Sequence, residues 1–200
     1  MRNAFRLVVV LSLLSSTTLA LAQSNKVAAE ALFEEGRRLM ASNHPADACP
    51  KFEASQHLDP SAATLLNLGN CYEKSGRKAS AWATYKEAAS VANSTRRPEL
   101  VSVAQKRAAA LENRLSTLTI VVPNKHDSLE VRRDGVVLAA GAYGVPIPVD
   151  AGSDLVEVRA PKKKPWSTTI EVKDEDDKRS VTVPPLEDAP EPPPTTTSSS

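Results

Sequence analysis

Apolar side chains recur at helical spacing through the first half of this chain and alternate with polar ones through the second. Ala29, Leu32, Phe33, Leu39 and Met40 fall three, four and seven apart, which predicts a helix over residues 26–42. A turn at Asn43–Pro45 precedes a second helix, Ala46–Leu58, which Asp59-Pro60 ends because the residue before a proline avoids helical angles. Ser61 is placed to cap a third helix over 62–75, and Gly76 separates it from a fourth over 78–92. Asn93-Ser94-Thr95 breaks the chain before a fifth helix, 98–115, with Pro98 in its first turn and Leu100, Ala104, Ala108, Leu111 and Leu115 on one stripe. At Ser116 the period drops to two. Leu118, Ile120 and Val122 alternate with Thr117, Thr119 and Val121, and further short strands are predicted over 129–133, 136–139, 145–149, 154–160, 166–173 and 180–183. Asp134-Gly135 between apolar runs is the signal of a tight hairpin. The expected fold is therefore α+β in two domains: a helical domain over 23–115, then a small antiparallel β-sandwich over 116–183. Pro184–Ser200, rich in proline, acid, threonine and serine, is expected to be a disordered tail.

The helical half carries an internal repeat. Gly36, Leu39, Ala48 and Phe52 return 33 residues later as Gly69, Tyr72, Ala81 and Tyr85. Such a period marks stacked helical pairs, with small residues where backbones approach and large ones filling the gaps. The second unit, Leu65-Leu66-Asn67-Leu68-Gly69-Asn70-Cys71-Tyr72-Glu73-Lys74-Ser75-Gly76-Arg77 followed by Ala81 and Tyr85, resembles the tetratricopeptide repeat family, whose interval is 34 residues. The first unit, Leu32–Gly36 with Leu39, Ala48, Phe52 and Pro60, is similar to it. Two units are fewer than such arrays need, so the fifth helix is expected to cap the stack. The resemblance implies a concave groove for a partner polypeptide, lined by the first helix of each unit. Its candidate residues are Phe33, Arg37 and Met40, then Leu66, Asn67, Asn70, Glu73 and Lys74. Asn67 and Asn70 stand where the family has asparagines, and an amide suits a peptide backbone because it both donates and accepts. Pro146–Trp166, with its strand, Ala151-Gly152 turn and proline-flanked loop, is similar to PEGA-type β-domains.

The N-terminus has the pattern of a signal peptide. Arg2 and Arg6 precede an apolar run, Leu7–Leu14, and Ala20-Leu21-Ala22 offers a cleavage site after Ala22. The run is too short to span a bilayer, which needs about 20 residues. The chain is thus expected to be exported, periplasmic or secreted, with no membrane span after cleavage. Cleavage would remove two of the 25 basic residues and none of the 24 acidic ones, leaving a net charge of −1. That balance argues against a nucleic-acid partner. Lys162-Lys163-Lys164, between Pro161 and Pro165, reads as a solvated loop. The two cysteines, Cys49 and Cys71, suit a disulfide in an exported chain. If the second and third helices run antiparallel about Pro60, Cys49 faces Cys71, Ala48 faces Tyr72 and Phe52 faces Leu68. The other reading is a pair of small buried thiols.

Candidate chemistry is sparse. His44, His57 and His126 are scattered, with no second ligand at metal spacing, and no nucleophile elbow or phosphate-binding glycine loop occurs. Asp174, Glu175, Asp176 and Asp177 lack the glycine of a calcium loop, since Arg179 stands there, and read as a solvated hairpin tip. Trp82 reads as core; Trp166 reads as core or as a face for a sugar. No metal or cofactor is expected and no enzymatic activity. The sequence points to an exported, non-enzymatic interaction or scaffold protein of a bacterial cell envelope. The alternative is a cell-wall or polysaccharide binder acting through the β-domain.

Overall fold

A computed structural model describes residues 23–123 and 128–190. The segment expected to be a signal peptide, His126 and residues 191–200 of the expected tail lie outside the described residues. The chain divides into two compact units between Asn113 and Arg114.

Among the described residues the first unit is built of helices: α1 (residues 23–41), α2 (Pro45–Leu58), α3 (Ala62–Lys74), α4 (Lys78–Ser94) and α5 (Pro98–Glu112). Helix ends follow local chemistry. Asn43, Gly76 and Arg96 take left-handed angles (φ 60°, 78° and 57°) in the turns after α1, α3 and α4. Ser61 Oγ accepts the Thr64 amide at 3.0 Å, capping α3, and Pro45 and Pro98 sit in the first turns of α2 and α5. Three ends depart from expectation by two residues or more, α1 starting at residue 23 rather than 26. Helix α4 continues through Asn93 and Ser94, whose polarity costs little in an exposed last turn, and α5 stops at Glu112. The repeat is visible as one packing motif made twice. A Cβ built on Gly36 would lie 2.8 Å from the Phe52 ring, and one on Gly69 would lie 2.6 Å from the Tyr85 ring. Both rings are buried, as are Ala48 and Ala81 beside them. Each glycine therefore makes room for the aromatic of the following helix.

Two of the apolar clusters among the described residues lie in this unit. Ala48, Cys49, Phe52, Leu68 and Cys71 form one, with Phe33, Leu39, Met40 and Tyr72 against it; Leu65, Ala88 and Ala104 form the other. Cys49 and Cys71 stand at disulfide distance, S–S 2.21 Å and Cα–Cα 5.6 Å. The facing pairs expected from the antiparallel geometry thus share one cluster. Ser55 Oγ donates to the Ala29 carbonyl at 2.8 Å, tying α2 to α1 through a buried hydroxyl.

The second unit holds seven strands among the described residues: β1 (Ser116–Val121), β2 (Glu130–Arg133), β3 (Val136–Val137), β4 (Ile147–Val149), β5 (Gly152–Arg159), β6 (Trp166–Val172) and β7 (Lys178–Thr182). They form two sheets, ordered β4-β1-β7 and β3-β2-β5-β6. Leu118, Ile120 and Val122 from one sheet meet Val131, Val156, Val158 and Val172 from the other in a single core. Asp134 and Gly135 turn the β2–β3 hairpin with φ of 48° and 78°, as a mirror-type turn requires. The β1–β7 pairing is parallel, whereas an all-antiparallel sandwich was expected. Its cause is the crossing between sheets at residues 173–177. The Thr117 amide donates to the Asp177 carbonyl at 2.9 Å, so β7 starts beside the start of β1 and runs with it. Ser116 Oγ secures that crossing, donating to the Lys173 carbonyl at 2.8 Å and accepting the Asp177 amide at 3.1 Å.

The tail does not begin at Pro184 as expected. Residues 184–189 lie against the 160–164 loop: the Lys164 amide donates to the Glu187 carbonyl and the Ala189 amide to the Lys162 carbonyl, both at 2.9 Å. Backbone pairing and Leu186, packed against the core, compensate for a composition that alone predicts disorder.

Candidate functional site

The candidate site is the set of α1 and α3 positions Phe33, Arg37, Met40, Leu66, Asn67, Asn70, Glu73 and Lys74, some of which touch the buried aromatics Phe52 and Tyr85. Its apolar members are half-buried. Phe33 meets Phe52 edge-on, with centroids 5.7 Å apart and planes at 64°, and Met40 packs on the same cluster. Leu66 rests on the Leu65–Ala88–Ala104 cluster. These three belong as much to the core as to a groove. Arg37 is exposed, paired with Glu34 at 3.0 Å and 5.9 Å from the centre of the Phe33 ring. Lys74 is exposed at the end of α3. Asn67 Nδ2 donates to the Ala63 carbonyl one turn back at 2.9 Å, leaving its Oδ1 for another partner.

Asn70 and Glu73 join a network the sequence reading missed. Arg107 of α5 donates to Asn70 Oδ1 and to Glu73 Oε2, each at 3.4 Å, and the Tyr85 hydroxyl donates to Glu73 Oε2 at 3.0 Å. Burial first, then Glu73, pushes the Tyr85 hydroxyl well above its usual range, so it keeps the proton that it donates to Glu73. A second arrangement of tyrosine, glutamate and arginine starts from the neighbouring residue of α3, Tyr72. There the Tyr72 hydroxyl donates to Glu53 Oε1 at 2.6 Å, with Arg77 4.1 Å over the Tyr72 ring. Burial and Glu53 push that hydroxyl up to about 12. A signal for Arg107 was available, since it stands one 33-residue interval after Lys74.

Where α1 meets the start of α3 there is a small cleft of about 130 Å³, with Phe33 and Ala29 on one wall, Ala63 and Thr64 on another, and Glu30 and Asp59 at its edges. It is large enough for one small side chain. Among the described residues no group of three His, Cys, Asp or Glu is placed to hold a metal ion. In the acidic turn Asp177 accepts the Lys173 amide, Lys178 pairs with Asp176, and Arg114 pairs with Glu175. These carboxylates serve the turn and its neighbours. Trp82 is half-buried, its Nε1 donating to Glu112 at 3.5 Å, and Trp166 is half-buried against the β core. Among the described residues no helix is long and apolar enough to cross a membrane. Compared with known proteins, the chain matches no family model and no curated protein.

Proposed function

We propose that the helical unit is a tetratricopeptide-type interaction module, and that this exported, non-enzymatic protein of a bacterial envelope uses it to hold a partner polypeptide. The observation that carries this reading is the repeated contact of Gly36 with Phe52 and Gly69 with Tyr85. Two units built alike bring equivalent faces of α1 and α3 to the surface in register, and a regular face suits an extended or helical peptide. Arg37, Asn67 and Lys74 are its adaptable polar members, while Asn70, Glu73 and Arg107 give it a fixed, mutually oriented edge. The cleft beside Phe33, of mixed polarity, supplies an anchor point for one side chain. Export is supported by the leader pattern and the cysteine pair at bonding distance. The test is affinity capture from an envelope extract of the source cells with the wild-type chain and with Arg37→Glu/Lys74→Glu. The variant is expected to lose the principal partner while keeping its circular dichroism; the same partners at the same yield would contradict the assignment of this face.

A further inference from the structure

The segment after β7 is bound like a peptide ligand. Residues 184–189 run antiparallel to the 160–164 loop, bridging at Lys163 and Asp188. Two main-chain hydrogen bonds fix the register: Lys164 amide to Glu187 carbonyl and Ala189 amide to Lys162 carbonyl, both 2.9 Å. Two ion pairs read its acidity, Lys163 with Asp188 at 2.6 Å and Lys164 with Glu187 at 2.9 Å. Leu186 reaches the edge of the core. Main-chain pairing for affinity, with charge and one apolar anchor for specificity, is how proteins recognise extended peptides.

The same segment is held loosely. The Asp188 and Glu187 side chains are 85% and 77% exposed, and ion pairs of that kind contribute little and are screened by salt. Space remains on both flanks. A cleft of about 220 Å³ lies on one side, walled by Val122, Leu129 and Val183. Another of about 260 Å³ lies on the other, walled by Pro165 and Trp166. The lysine triplet, read from sequence as a solvated loop, is the basic half of this contact.

We propose that the Lys162–Trp166 edge is a binding site for an extended, acidic, proline-flanked peptide segment of a partner protein, and that residues 184–189 occupy it as an intramolecular competitor. Occupant and site belong to one chain, so the local concentration of the competitor is on the order of millimolar. A partner segment of the same chemistry must displace it, and that sets a threshold for binding. This site lies wholly in the second unit, so its failure would leave the reading of the helical face untouched.

The test uses the full chain, Glu187→Lys/Asp188→Lys to release the segment, and a synthetic peptide of residues 183–190 added in trans. Amide exchange by NMR reads the Lys164 amide, with the β5–β6 ladder at Val156 and Thr168 as the control for folding. The released variant is expected to lose protection at Lys164, to regain it with the peptide, and to bind that peptide at least about tenfold more tightly than wild type. Adding Lys163→Glu/Lys164→Glu to the released variant is expected to restore its own protection and abolish binding of the wild-type peptide. Persistent protection at Lys164 in the released variant would overturn the proposal, as would equal binding of a peptide with lysines at both acidic positions. A dimer of the wild-type chain by sedimentation, lost on release, would overturn the intramolecular competitor in favour of a second copy's segment.

Discussion

Single side chains decide both units. At Gly69 one methyl group would be driven into the buried Tyr85 ring, and at Gly36 into Phe52. Gly69→Ala is expected to destabilise the helical unit by about 1–3 kcal/mol, the range for overpacking a close-packed interior, although alanine is the better helix former. Urea unfolding measures it, and a Tyr85→Leu cycle should show the two changes coupled rather than additive. An unchanged midpoint for Gly69→Ala would mean the contact is not tight. In the β unit the decisive residue is Asp154, the polar member of the inward row of β5. Burial raises its carboxyl to about 6; Arg133, 3.5 Å away, opposes that rise, and Asp134 and Asp150 add to it. A pKa raised on folding means that the native state holds the proton more tightly. Its stabilising contribution is therefore complete below about 3.8 and is lost as pH rises through about 6. Exchange of β5 amides should accordingly report a β unit that weakens from pH 4 to 7, and Asp154→Asn should flatten that dependence. A slope unaltered by the substitution would assign the effect to other groups.

Among elements, α2 and α3 are joined by the closest cross-link. The cysteines are 22 residues apart, so in the chain-entropy account an oxidised bridge stabilises by about 3 kcal/mol. Reduction, or Cys71→Ser, should lower the unfolding midpoint of the helical unit accordingly; no shift on adding reductant to the purified chain would mean that the thiols were free. Helix α5 is held to α3 and α4 by small residues and by Arg107, so Arg107→Ala should cost only about 0.5–1.5 kcal/mol while loosening the amides of α5 first. Much of this was legible beforehand. Pro45, Pro60, Gly76 and Pro98 punctuate helices through backbone constraint alone, and Asp134-Gly135 dictates its turn for the same reason. What escaped was non-local. The parallel course of β7 depends on the crossing beside Ser116, β3 is cut to Val136–Val137 because the chain then turns through the 3₁₀ segment Ala140–Ala142, and the 184–189 segment is ordered by partners two dozen residues away. The candidate positions, Asn70 and Glu73 among them, come from the phase of the repeat. The tie from Asn70 and Glu73 to Arg107 was not legible, because the interval was not followed into α5.

At the scale of the whole molecule, each unit has one proposed surface for a polypeptide. The helical unit offers the α1–α3 face; the β unit offers an edge already holding a peptide-like segment. The central claim is that the α1–α3 face binds the partner, and the most direct measurement is site-specific photo-crosslinking in the source cells. A photoreactive residue would replace Arg37 or Lys74 on that face, and Glu87, exposed on α4, would serve as the control. The account predicts that Arg37 and Lys74 yield an adduct to one and the same polypeptide while Glu87 yields none. Equal adducts from Glu87, or none from either face position, would contradict it.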